Sequence, residues 1–121
     1  MNLNNVDISK LPADVRKTFK KLQVMHAEKQ IQGKAREDFM SFVKCVWPDF
    51  IEGSHHRHIA KKFNQLATGE ITRLIVNMPP RHTKSEFASY LLPAWMVGRN
   101  PKLKIIQATH TGELAVRFGR K

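Results

Sequence analysis

Lys84 and Ser85 stand at a junction where an apolar run, residues 73–77, passes through a short loop into a helical pattern. The stretch reads Leu74-Ile75-Val76-Asn77-Met78-Pro79-Pro80-Arg81-His82-Thr83-Lys84-Ser85. A polyphosphate is held by backbone N–H groups converging at a helix N-terminus, where the partial positive charge favours anions. It also needs a lysine on its outer phosphates and a hydroxyl for its magnesium ion. Lys84 and Ser85 supply these two, and the order of strand, loop, Lys-Ser and helix is that of a phosphate-binding loop. The usual G-x-x-x-x-G-K-[ST] pattern is incomplete, with Met78 and Thr83 at the glycine positions. Pro79 and Pro80 have no N–H to donate, but they precede the Lys-Ser end. Thr83 is the larger departure. A positive φ there would strain a β-branched residue by roughly 1–2 kcal/mol. The plain alternative is a strand, a Pro-Pro turn and a basic helix start, with Lys84 solvated.

A second group that invites chemistry is His55, His56 and His58. His55 and His58 are three apart and share a helix face, but a zinc site takes three or four ligands. Cys45 is the other candidate nearby, and the set falls short of a convincing metal site. Cys45 itself lies within Phe42-Val43-Lys44-Cys45-Val46-Trp47, which predicts a buried, inert thiol.

Several elements are needed to position these residues. Residues 1–10 are polar and expected to be loose. Pro12 at a first helical position, followed by Val15, Phe19 and Leu22, predicts an amphipathic helix over residues 12–32, closed by Gly33. Its other face carries Arg16, Lys17, Lys20 and Lys21, read as a solvated face rather than a DNA-binding one. A second helix is predicted over residues 34–47, with Ala35, Phe39, Phe42, Val43 and Val46 on one side and Pro48 as its stop. Ser54 is the predicted cap of a third, carrying Ile59, Phe63 and Leu66 and ending at Gly69. After the strand at 73–77 and the loop, a helix from Lys84 would turn Ala88, Leu91, Leu92 and Trp95 to the core, with Pro93 kinking or ending it. A second strand over residues 104–108 completes a βαβ unit, parallel and right-handed. Thr111 would cap a last helix with Leu114, Ala115, Val116 and Phe118. The expected fold class is therefore α/β: N-terminal helices, then the first βαβ unit of a P-loop NTPase with an incomplete parallel sheet.

The chain has 121 residues and a formal net charge of +11. Residues 1–50 contribute +3 and residues 51–121 contribute +8, so the excess sits in the half that holds the loop. Such a surplus predicts a polyanionic partner, nucleotide or nucleic acid. One cysteine precludes an internal disulfide and fits a reducing compartment. No apolar run has the length of a membrane span, and Met1-Asn2-Leu3-Asn4-Asn5 lacks signal-peptide character. The expected location is the cytoplasm.

Taken together, Phe39, Trp47-Pro48-Asp49-Phe50, Gly53-Ser54-His55-His56, residues 69–76, Met78-Pro79-Pro80-Arg81-His82-Thr83-Lys84-Ser85, Pro93-Ala94-Trp95 and Gly98-Arg99-Asn100-Pro101 resemble the large terminase subunit of tailed phages. The resemblance is to the start of its ATPase domain. It covers roughly residues 36–120, and the Pro-Pro-Arg-x-x-Lys-Ser segment is its most specific part. In that family the loop commonly departs from the glycine pattern. The expected division is a helical segment over residues 1–33, read from its own apolar spacing, and by the resemblance the first portion of an ATPase domain over 34–121. The whole enzyme would use ATP and Mg2+ to drive DNA into a procapsid and would also cut the concatemer. It implies double-stranded DNA, a small terminase subunit and a portal protein as partners, with a ring of copies in the host-cell cytoplasm.

Carried onto this chain, the resemblance has Lys84 contact the β- and γ-phosphates and Ser85 the magnesium ion. The N–H groups of His82 to Ser85 would cradle phosphate oxygens, beside Pro80, and His55 would line the pocket. Arg81 is the candidate arginine finger; it stands three residues before Lys84, where that role has a spacing of four. An arginine on the loop surface reaching a phosphate or DNA is the other reading. Between residues 51 and 121 the acids are Glu52, Glu70, Glu86 and Glu113, and none ends an apolar strand. The carboxylate that a P-loop enzyme places on a second strand, and the family's nuclease acids, are thus expected to lie outside this stretch. The chain reads as the first third or quarter of a larger enzyme. Two rivals stand beside that reading. One is a non-catalytic basic DNA-binding remnant using Arg57, Lys61, Lys62, Arg99, Lys102 and Lys104; the other is the start of a different P-loop enzyme, such as a helicase.

Overall fold

The structure, a computed structural model, describes residues 12–120. The expectation of a loose segment over residues 1–10 lies outside the described residues. Five α-helices follow one another: α1 (Ala13–Glu37), α2 (Phe39–Val46), α3 (Ser54–Thr68), α4 (Leu92–Arg99) and α5 (Gly112–Arg120), with a π-helical stretch (Glu86–Leu91) leading into α4.

The α/β expectation is overturned. Among the described residues there is no strand and no sheet, and the architecture is helical. The two runs expected as strands, 73–77 and 104–108, have no ladder partner. Leu74, Val76 and Met78 are half-buried and alternate with exposed Arg73, Ile75 and Asn77, so the period of two survives. A strand nevertheless exists only where its N–H and C=O groups meet a neighbour, and a parallel pair needs cover on both faces. Ile106, 96% exposed, shows how little covers the second run.

The core is built by short amphipathic helices around Phe39. Its ring meets Phe63 of α3 edge-on at 5.0 Å, Phe87 at 5.5 Å and Trp95 of α4 at 5.4 Å. Phe39, Val43, Phe63, Phe87 and Trp95 are all fully buried. Such edge-to-face pairs add about 0.5–1.5 kcal/mol each beyond their area. The predicted core positions of the third and fourth patterns hold, with Phe63, Leu91, Leu92 and Trp95 inside.

Helix boundaries shift for identifiable reasons. Helix α1 runs through Gly33 to Glu37, and the break falls at Asp38 instead. There Asp38 Oδ2 accepts from the Ser41 N–H and hydroxyl, both at 2.8 Å, which caps α2. Asp38 Oδ1 accepts from Asn64 Nδ2 (2.8 Å), while Asn64 Oδ1 accepts from Phe39 N–H (2.9 Å). These bonds lock the start of α2 to α3. Although partial burial opposes ionisation of Asp38, the bonds from Asn64 and Ser41 and the nearby Lys44 charge hold its carboxyl below the usual 3.8. Gly53 rather than Ser54 is the N-cap of α3, and Gly69, at φ 81°, closes that helix as expected. Thr111 Oγ1 accepts from Leu114 N–H at 3.4 Å, the bond expected of a cap on α5.

The face proposed for the first helix is not buried. Leu22 is 58% exposed and Val15 46%, and Ala35 is the one buried residue of α1. At its C-terminal end Trp95 Nε1–H donates to the Ala35 carbonyl (2.9 Å), one of the acceptors a helix end leaves open. Arg36 reaches the Gly98 carbonyl at 3.3 Å.

Pro93 does not end its helix. A proline in a helix clashes with the carbonyl four residues back and gives it no hydrogen bond. Here the chain widens into the π turn, with Leu92 N–H on the Phe87 carbonyl five residues back. The Ser89 carbonyl, deprived of a partner by Pro93, accepts from Gln107 Nε2 at 2.6 Å.

Candidate phosphate-binding site

The loop at 79–85 is carried between a half-buried run and the helix that begins at Lys84. Its two left-handed residues are Arg81 (φ 67°) and Thr83 (φ 58°), the only non-glycine positive φ values among the described residues. Thr83 thus adopts the backbone that glycine normally supplies. The Thr83 carbonyl accepts Phe87 N–H at 2.9 Å, the first bond of the helix. The N–H groups just before Phe87 have no acceptor within the helix and face its N-terminal end. Lys84, Ser85 and Arg81 are exposed. Their side chains make no hydrogen bond or ion pair among the described residues. His82 Nδ1–H donates to the Pro80 carbonyl at 3.0 Å, tightening the turn.

The brace of the loop is His56, which the sequence offers only as a candidate metal ligand beside His55 and His58. His56, buried on α3, places Nε2 2.9 Å from Thr83 Oγ1. Its Nδ1 accepts the Gly53 N–H at 2.9 Å. Since Nδ1 accepts, the ring proton sits on Nε2 and donates to Thr83, whose hydroxyl donates to the His82 carbonyl at 2.6 Å. One directed chain of hydrogen bonds therefore runs from Gly53 through His56 to the loop. Burial among Phe50 and Phe87 depresses the basicity of His56, and the neighbouring His55 and His82 lower it further, with Glu52 opposing. Glu52 is itself paired with Lys44 and with Arg57, the latter at 3.2 Å.

His55, the histidine expected in the pocket, is exposed, with its ring 3.8 Å from His56 and 5.7 Å from His82. It stands beside the loop but does not touch Thr83. His58 is exposed and outside this group. Among the described residues no group of three or more His, Cys, Asp or Glu side chains could hold a metal ion. Ser85 alone offers a hydroxyl, which suits Mg2+ only when phosphate oxygens and water complete its shell. Cys45 is exposed rather than buried, against expectation.

The signal for His56 was in the spacing. His56, Ala60 and Phe63 fall at i, i+4 and i+7, the buried face of α3.

The basic residues of the DNA-binding rival are in differing states. Arg57 is tied to Glu52, and Arg99 folds over the Trp95 ring at 4.8 Å. Lys61, Lys102 and Lys104 are exposed, and Lys62 is half-buried. Two grooves, of about 340 and 600 Å³, lie along Phe42 and Ala94, and neither is lined by the loop. No helix among the described residues is long and apolar enough to cross a membrane. Compared with known protein families, curated proteins and solved structures, the chain matches none.

Proposed function

We propose that residues 79–85 bind the phosphates of ATP, and that the chain serves the motor of a terminase large subunit, as its sequence resemblance implies. One observation carries the reading. Thr83 is held left-handed at a helix start, with the Lys84 and Ser85 side chains unengaged beside it. A threonine that keeps this backbone against a cost of about 1–3 kcal/mol is held there by its surroundings.

Lys84 reaches the β- and γ-phosphates, and the N–H groups of His82 to Ser85 receive phosphate oxygens. Ser85 offers its hydroxyl to Mg2+, which neutralises phosphate charge when bound with the nucleotide. Arg81, on the adjoining left-handed position, extends toward the outer phosphate. Double-stranded DNA, a small subunit, a portal and a ring of copies in the host cytoplasm belong to the same proposal, as does concatemer cleavage by the whole enzyme.

The test is a fluorescent-nucleotide titration with Mg2+ on the chain and on Lys84→Ala, with folding of both checked by circular dichroism. Saturable binding lost in Lys84→Ala is expected. Equal or absent binding by two folded proteins would overturn the reading. The net charge of +11 favours a second reading, a basic DNA-binding module. It requires salt-sensitive DNA binding that ignores ATP and survives Lys84→Ala.

A further inference from the structure

We propose that His56 is a positioning residue for the phosphate loop: its neutral imidazole holds Thr83 in the left-handed backbone where the loop pattern calls for glycine. The inference rests on the reading of residues 79–85 as a phosphate loop.

The argument is geometric. Thr83 at φ 58° carries a backbone strain that a contact from outside the loop can offset. Its Oγ1 has two partners, His56 Nε2 at 2.9 Å and the His82 carbonyl at 2.6 Å. Of these, His56 belongs to another element and is buried against Phe50 and Phe87, so it is the fixed end of the contact. A glycine at position 83 would need no brace. A threonine offers the hydroxyl by which a brace can act, so loop and helix α3 complement each other.

Nε2–H can donate to Thr83 in either protonation state, but the ring is anchored to Gly53 only while it is neutral. Protonated His56 has two N–H donors, so its Nδ1 no longer accepts from Gly53 and the directed chain of bonds breaks at its first link. The charged and titratable groups around His56 are His55, His82 and Glu52, with Glu52 held by Lys44 and Arg57. A proton on His56 would meet two further imidazoles and one carboxylate already engaged by two cations. Acid therefore loosens the loop, whereas a purely passive loop would gain phosphate affinity from the added charge.

The experiment combines two readouts on the chain, on His56→Ala, Thr83→Gly and the double variant, and on His56→Gln. The first is the backbone amide spectrum of residues 82–85 without ligand. At pH 8, His56→Ala should broaden or shift these signals, and the added Thr83→Gly should remove most of that change. In the unsubstituted chain the same signals should change on acidification as the His56 ring titrates. In His56→Gln, whose amide can accept from Gly53 and donate to Thr83, they should persist to pH 5.5.

The second readout is fluorescent ATP binding at pH 8. His56→Ala should weaken it about tenfold with Thr83 present and by less than about threefold in the Thr83→Gly background. Equal losses in both backgrounds, or loop amides unmoved by His56→Ala, would overturn the brace. If His56→Ala fails to fold, the pH behaviour of His56→Gln decides alone, and loop signals that change with pH as in the unsubstituted chain refute it. Absent nucleotide binding by every variant would refute the phosphate reading, while the amide spectra would still decide the role of His56.

Discussion

The Phe39 cluster and the loop at 79–85 are neighbours through Phe87, yet they are built on opposite principles. Around Phe39 the rings of Phe63, Phe87 and Trp95 are buried and helix ends are met by Asp38, Asn64 and the Trp95 indole. At the loop, two residues hold an unfavourable backbone, and the side chains best suited to bind an anion are unengaged. The packed side can bear the cost of the strained side because His56 belongs to both. Its ring lies against Phe50 and Phe87 on one edge and holds Thr83 with the other. Stability is concentrated in one region, and the backbone strain sits in the other.

The largest test of this contrast is Phe39→Ala. Removing the ring that four aromatic partners share should cost about 3–5 kcal/mol, a large share of a small domain's stability, as denaturant titration would show. Next comes Asp38→Ala, which removes the cap of α2 and leaves Asn64 short of a partner. A loss of about 1–2 kcal/mol is expected. At the loop the sign should reverse. Thr83→Gly relieves strain and should change stability by less than about 1 kcal/mol, because glycine loses more freedom on folding. Lys84→Ala should be nearly silent in thermal melts, within about 0.5 kcal/mol, while abolishing nucleotide binding. A Lys84→Ala variant as destabilised as Asp38→Ala would erase the distinction between the two regions.

Acid titration separates them again. Asp38 is held below 3.8, so its contribution is full above that value and is lost as pH falls through the lower folded value. His56 is held below 6.5, so the unfolded chain takes up the proton first. Stability therefore declines as pH falls below 6.5 and levels off beneath the folded value. Stability curves should show two steps: His56→Gln removes the upper one and Asp38→Asn the lower.

The same contrast governs what could be read from the sequence. The periodic apolar residues of α3 and of the segment after Lys84 identified the core, since Phe63, Leu91 and Trp95 answer to spacing alone. Thr83 was marked as a position of strain for the same local reason. The absence of a sheet among the described residues was not legible, because Leu74-Ile75-Val76 is an apolar run of strand length, and strand identity depends on a partner that the run itself cannot supply. Val15 and Leu22 mislead in the same way, forming a face that meets nothing among the described residues. His56 was missed for His55 because adjacent histidines look alike until the helix phase assigns one inward and one outward. Asp38, one residue before Phe39, carried a cap signal that the glycine at 33 overshadowed.

Phe87, Leu91 and Trp95 recur every four residues, and an α-helix over-rotates by about 40° at each such step. Across two steps Trp95 would point roughly 80° away from Phe87, and the two rings could not both meet Phe39. The wide turn that Pro93 provokes winds less per residue and cancels that drift. Proline here acts as a phase corrector. Pro93→Ala, a change that should favour an ordinary helix, would thus turn Trp95 out of register with the cluster it completes.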